Sequence, residues 1–353
     1  MRRVGILTLL ASMMAAVSSC APVSRMPDMA PDAVRSERDS LRQLVIEQHL
    51  DDAERLHRIV YPILAANASL CGTRIARVPG FLVENRFDFP SDYHAASLSA
   101  GLGDGLSMVA VAPDSPAARA GVARGDRVIA VAGTPLSTGT RARRDLAEQI
   151  NAGNGAPIAL EFERDGAQRS VTLQSQTICD MPAIVEVNEA INASANGRGL
   201  IVTTGLMRFL GSDAELAVVV GHEIAHNVQG HIGLGVNNQG VAALFDFFNA
   251  RWGVKPDDRD SEKLPIGQAY EAEADYVGLY LIARAGYPKS AAATVYRRFA
   301  VSAPTSIAAR RDSTHPSSPA RVVMLDETAR EIEAKRAQDL PLLPELNKTT
   351  KSH

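Results

Sequence analysis

Apolar residues recur at helical spacing through Leu41, Leu44, Val45, Leu56, Ile59, Val60, Ile63 and Leu64. They predict an amphipathic helix or helix pair, kinked near Pro62 and packed on a core. No heptad persists, which argues against a coiled coil. The period then shortens. Gly105 to Val111 alternates like a strand, and Ser115-Pro116 opens a short capped helix that leads through Gly121 and Gly125 to a second strand over Arg127–Val131. Arg143 to Ile150 reads as a helix, and Ile158–Arg164 with Gln168–Leu173 reads as a hairpin around Asp165-Gly166. Helical spacing returns in Val218–His226 and again from Tyr270 through Val277, Leu279, Leu281 and Ile282 toward Gly286.

With 46% hydrophobic and 22% charged residues in 353, the chain has the composition of two compact domains. A net charge of −3, dispersed Lys and Arg, and only 5% aromatic residues exclude a nucleic-acid partner. Arg2 and Arg3 precede an apolar run from Val4 to Val17 that is short for a bilayer and is followed by small residues, the layout of a secretory signal. Val241-Ala242-Ala243-Leu244-Phe245-Asp246-Phe247-Phe248 is the most apolar later stretch, and its length and aspartate argue against membrane crossing. It is expected to form a lid or membrane-facing hairpin over a cleft, or else buried core.

The richest chemistry lies in Val218-Val219-Val220-Gly221-His222-Glu223-Ile224-Ala225-His226. At about 100° per residue, His222 and His226 lie about 40° apart on one helical face, where both ring nitrogens can meet a single Zn²⁺. Glu223 projects beside them as a candidate general base for a water acidified by the metal. A third ligand is needed. Gln229 and Ile232 occupy the places where a longer motif would put glycine and a third histidine. His231 falls about 180° from His222 on a continuing helix and is expected at the helix end, after Gly230. Glu271 and Asp275 share a face of the next helix, so that one can bind zinc while the other accepts a hydrogen bond from a ligating imidazole. Glu273 points elsewhere. An acidic first turn that complements the helix dipole would explain some of these carboxylates without metal.

Asn192-Ala193, Gly199 to Leu206, Glu215-Leu216, Gly221 to His226 and Glu271 to Asp275 together resemble the peptidase family that contains the HtpX heat-shock protease and the CAAX prenyl protease. The resemblance covers Ala183 to Arg321. It implies one zinc per chain held by His222, His226 and Glu271, with Glu223 as general base and then acid and Asp275 behind the ligands. It also implies a strand that pairs with extended substrate, beginning at Asn192 and Ala193, with Ser194 where the family has an aromatic residue. Thr314 to Arg321 resembles the family's His-Pro motif, which implies His315 as a stabiliser of the oxyanion, while Arg321 could instead hold that loop.

Asp114 to Gly133 closely resembles a PDZ domain of bacterial proteases, which implies capture of extended or C-terminal peptide by strand addition, with Gly101 to Gly105 approaching the carboxylate loop. Val17-Ser18-Ser19-Cys20 resembles a bacterial lipobox, with an ordinary signal peptide as the alternative. The resemblance implies lipidation at Cys20 and, with Ala21 following, the periplasmic side of the outer membrane. In that oxidising compartment Cys71 and Cys179 form an even pair for a disulfide, with two buried free thiols as the alternative.

The expected fold class is α+β: a mainly helical zincin-type metallopeptidase with a small β region, interrupted by an inserted β-rich PDZ domain. Its parts are a signal at 1–19, a tether at 20–31, a helical part at 32–74, the PDZ domain at 75–176, the catalytic domain at 177–335 and a tail at 336–353. The expected activity is metalloendopeptidase cleavage of misfolded or unassembled envelope proteins, with protein and peptide substrates, a membrane contact through the lipid and no nucleic acid. A PDZ adaptor or chaperone with a structural or latent zinc site is the competing expectation.

Overall fold

The computed structural model describes residue 24 and residues 27–231, 264–302 and 319–345. The signal, Cys20, the whole apolar stretch 241–248 and His315 lie outside the described residues. Two compact units divide the chain, Met1–Arg42 and Gln43–His353. In the first, the described residues open a helix in which Arg35 pairs with Asp32. All further contacts described belong to the second unit.

The helices are α1 (Pro31–Ala66), α2 (His94–Ser99), α3 (Pro116–Arg119), α4 (Ala142–Ala152), α5 (Thr204–Phe209), α6 (Asp213–Gln229), α7 (Leu264–Arg284), α8 (Ala291–Ser302) and α9 (Pro319–Ala337). The strands are β1 (Ile75–Val78), β2 (Phe81–Glu84), β3 (Ser107–Val111), β4 (Arg127–Val131), β5 (Thr134–Pro135), β6 (Ile158–Arg164), β7 (Ala167–Leu173), β8 (Gln176–Cys179), β9 (Ala183–Glu186), β10 (Ala193–Ala195) and β11 (Leu200–Thr203). Helices and sheets thus combine in an α+β chain.

The β-rich module is a sheet ordered β2-β3-β4-β6-β7, with β5 added to β4. Its hairpin turns at Asp165 and Gly166, both at positive φ (52° and 74°), the backbone that a two-residue turn between right-twisted strands requires. Val83, Met108, Val128, Leu146, Leu160 and Phe162 bury one face of this sheet under α4. The other face presents Leu82 and Val109 to Ile46 and Leu50 of α1.

Helix α1 is one continuous helix through Pro62, and it serves two cores. Leu56, Ile59, Val60, Ile63 and Leu64 enter the large helical core, whereas Ile46 and Leu50 pack on the module. Leu44 and Val45, which belong to the same apolar pattern, are exposed. Where the chain leaves α1 and returns, β1 and β8 form an antiparallel ribbon that pairs Ile75 with Cys179. A disulfide between Cys71 and Cys179, with Cα atoms 5.7 Å apart, closes its base.

In the helical core, α6 and α7 cross at two glycines. A Cβ on Gly221 would come within 2.8 Å of the Gly278 carbonyl oxygen, and one on Gly278 would come within 2.8 Å of the His222 backbone nitrogen. The backbones therefore touch where a pair of side chains would hold them apart. Gly278→Ala should cost about 1–3 kcal/mol of overpacking, offset by about 1 kcal/mol of helix propensity. The expected net loss of stability would appear as a lower denaturant midpoint, and an unchanged midpoint would show that the crossing can relax.

Candidate metal centre

Helix α6 is built to begin and end sharply. Ser212 caps it by accepting from the Glu215 amide at 3.3 Å, and Asp213 and Glu215 place negative charge in its first turn. At the other end Gly230, with φ of 72°, reverses the chain in the left-handed conformation. Between them every residue from Glu215 to Asn227 is buried, including His222, Glu223 and His226. Glu223 is only 3% exposed, unusual for a carboxylate that served solubility alone.

Across the glycine crossing, α7 presents Glu271 and Asp275, both buried. His222 Nε2 and His226 Nε2 lie 3.1 Å apart. Glu271 Oε2 lies 3.4 Å from the first nitrogen, and its Oε1 lies 3.3 Å from the second. A tetrahedral zinc with bonds of about 2.0–2.2 Å separates its ligand atoms by about 3.3–3.6 Å, close to these separations, and one ligand atom from each of the three residues can be chosen with all within 4.8 Å of one another. These three are the one metal-capable group of histidine, cysteine and acidic residues among the described residues.

Both oxygens of Asp275 are engaged by neighbouring side chains. Its Oδ1 accepts from His222 Nδ1 at 2.8 Å, Tyr296 Oη at 2.6 Å and Arg321 Nη2 at 2.7 Å, and its Oδ2 accepts from Arg321 Nε at 2.6 Å. Of the two carboxylates on the shared face, Glu271 therefore meets the ring nitrogens and Asp275 sits behind His222. Arg321 also reaches Glu271 Oε2 at 3.3 Å through Nη1.

Electrostatics at this point favour positive charge. Burial is the largest single influence on His222 and lowers its basicity, but hydrogen bonds and charge from Asp275 and Glu271 outweigh it and raise its pKa to about 10. Burial likewise pushes Asp275 up, yet His222 and Arg321 together hold it down at about 2. A dication would find at His222 the same negative surroundings that hold a proton there.

Two residues expected to lie away from the site belong to it. The reversal at Gly230 folds His231 back toward the helix, so that its Nδ1 lies 3.1 Å from His226 Nδ1. Glu273 then meets His231, Oε2 to Nε2 at 3.0 Å. His231 thus stands at the helix end after Gly230, as expected, and the left-handed glycine turns it back onto His226, which the helical pattern did not show. Burial pushes His231 below its ordinary pKa, with the Glu273 bond opposing.

Tyr296 from α8 and Arg321 from α9 also complete the cluster; the sequence offers Arg321 as an alternative holder of the loop of the His-Pro motif, and no local pattern connects Tyr296 to the site. Asn227, fully buried, accepts from the Gly197 amide at 2.8 Å and donates to the Gly199 carbonyl at 3.0 Å, pinning the β10–β11 turn to α6. Strand β10 is the outer strand of the sheet β10-β11-β9. The Asn192 carbonyl accepts from the Thr203 amide at 3.1 Å, and the Asn196 amide donates to the Gly199 carbonyl at 3.2 Å. By antiparallel alternation, the amides and carbonyls of Ala193 and Ala195 face the edge that is open among the described residues, while those of Asn192 face inward.

Residues 168–329 match the model of Peptidase family M48, and residues 108–164 match that of a PDZ domain. The mitochondrial metalloendopeptidase OMA1 of Arabidopsis thaliana is 36% identical over 149 residues, which cover 40% of this chain and 30% of that protein. The OMA1 protein of Schizosaccharomyces pombe is 28% identical over 155 residues, 40% of this chain and 44% of that one. The chain thus spans less than half the length of these curated relatives. A crystal structure of the HtrA3 PDZ domain bound to a phage-derived ligand is 23% identical, covers 30% of this chain and 88% of that one, and superposes with a TM-score of 0.23. The buried His-His-Glu triangle lies within the first matched segment, so this chain carries a segment similar to peptidase family M48 after a segment similar to a PDZ domain.

Proposed function

We propose that this protein is a zinc-dependent metalloendopeptidase of the bacterial cell envelope that hydrolyses internal peptide bonds of misfolded or unassembled proteins. The observation that carries this reading is the triangle of His222 Nε2, His226 Nε2 and Glu271 oxygens at 3.1–3.4 Å, with Glu223 buried beside it on the same helix. Held by these three residues, zinc supplies Lewis-acid polarisation of a scissile carbonyl and an acidified water.

The chain's own groups do the rest. Glu223 takes the proton of the attacking water and delivers it to the departing amine. Asp275 keeps the His222 proton on Nδ1, so that the Nε2 lone pair faces the ion. Arg321 and Tyr296 hold Asp275 in that task. The open edge of β10 offers Ala193 and Ala195 to an extended substrate, which would be drawn alongside α6. The PDZ domain would collect extended or C-terminal segments for this cleft. His315 is proposed as the oxyanion partner on sequence resemblance alone.

The envelope setting, with a lipid anchor at Cys20 on the periplasmic side of the outer membrane, is supported by the N-terminal sequence. The disulfide agrees with an oxidising compartment. Intact mass of membrane-extracted protein tests the anchor through added acyl mass at Cys20.

Glu223→Gln should retain fold and zinc yet lower proteolysis of casein by about 10²–10⁴-fold, the range of a lost general base. Full residual activity in that variant would leave the mechanism untenable and favour a structural metal site. Glu271→Ala should lose zinc by more than the roughly 10–100-fold typical of residues behind the ligands, measured as metal per chain after dialysis against a chelator. Ala195→Pro removes an amide that faces the open edge and leaves the pairing with β11 intact. It should lower kcat/KM about tenfold for long substrates through one lost backbone hydrogen bond, with zinc content unchanged. Equal turnover would assign substrate binding elsewhere.

A further inference from the structure

Behind His226 lies a hydrogen-bonded chain that the proposed reaction does not use. His231 Nδ1 lies 3.1 Å from His226 Nδ1, and His231 Nε2 lies 3.0 Å from Glu273 Oε2. The other oxygen of Glu273 accepts from Gln229 Nε2 at 2.9 Å. The Tyr270 ring lies 4.6 Å from that of His231, tilted by 30°, and backs it on α7.

The direction of this chain follows from its carboxylate end. An ionised carboxylate only accepts, so His231 carries its proton on Nε2. The Nδ1 of neutral His231 is then a lone pair, and the short contact is a hydrogen bond only when His226 donates from its own Nδ1. That leaves His226 Nε2 unprotonated, on the side where it meets His222 Nε2 at 3.1 Å and Glu271 Oε1 at 3.3 Å.

We infer that Glu273, acting through His231, is a positioning residue that sets the tautomer of His226 and so turns the Nε2 lone pair toward a divalent cation. This rests on the reading of His226 as a metal ligand. It gives the two ligating imidazoles matched supports: Asp275 bonds His222 Nδ1 directly, and Glu273 reaches His226 Nδ1 across one further ring.

Gln229 makes the inference testable without a change of shape. Because Gln229 donates to one oxygen of Glu273, the isosteric Glu273→Gln turns its amide oxygen toward Gln229 and its NH₂ toward His231. That reverses the chain and moves the His226 proton to Nε2. Combining it with Gln229→Glu exchanges the two side chains, returns an amide oxygen to His231 and restores the original direction.

In the metal-free full chain, ¹⁵N NMR should report His226 as the Nδ1–H form. It should report the Nε2–H form in Glu273→Gln and Nδ1–H again in the exchanged pair. Zinc affinity by chelator competition should fall within the roughly 10–100-fold range of outer partners and recover in the exchanged pair. Glu273 is partly exposed, and competition from water places the loss near the lower end of that range. Unchanged zinc affinity with an unchanged His226 tautomer in the single variant overturns the inference, as does an exchanged pair no better than the single variant. A wild-type chain that binds no zinc overturns the metal-ligand reading itself, and the His226 tautomer in the metal-free protein then decides the positioning role by itself.

Discussion

The backbone contact between α6 and α7 at Gly221 and Gly278 is the constraint on which the site depends. Helices carrying ordinary side chains pack with axes about 8–10 Å apart. Removing both side chains at the crossing lets His222, the next residue after Gly221, reach Glu271 and Asp275 within hydrogen-bonding distance. The apolar residues around the crossing, Val218, Val220, Ile224, Ala274, Val277 and Ile282, are buried in one cluster and hold it there. The same feature that makes the core close-packed therefore sets the donor spacing a metal needs.

Burying three carboxylates, three imidazoles and a guanidinium is costly unless the groups are satisfied, and here the satisfaction assigns the roles. Arg321 and Tyr296 saturate Asp275, which leaves it a support for His222. Glu271 keeps oxygens directed at both Nε2 atoms. Two carboxylates four residues apart on one helix thus differ through neighbours contributed by α8 and α9. Asn227, one residue beyond His226, brings the outer strand β10 against the same helix, so that the metal-capable triangle and this strand share one support.

Helix α1 and the β1–β8 ribbon do similar work at larger scale. A single helix packs Ile46 and Leu50 on the β-module and Leu56 to Leu64 in the helical core, while Arg124 of the module pairs with Asp51 and Glu54 on the same helix. The Tyr61 hydroxyl bonds Gln176 on β8 at 3.0 Å, and His57 bonds the Gly80 carbonyl at 3.2 Å. The module that would gather peptide is thereby packed against the core that carries the metal-capable triangle.

Much of this was legible in the chain itself because it depends on local periodicity. The 3.6-residue repeat puts His222 and His226 on one face, the Asp165-Gly166 turn makes its hairpin, and the strand and helix spacing of the β-module follows from alternation and capping. Local pattern could not choose between Glu271 and Asp275, placed His231 at the helix end without showing that it folds back onto His226, and set Glu273 aside. Those outcomes required a left-handed glycine at the helix end, two glycines in contact, and a tyrosine and an arginine brought in from later helices. Periodicity determines which residues share a face. Only packing between faces determines which of them touch, and coordination and proton placement depend on touching.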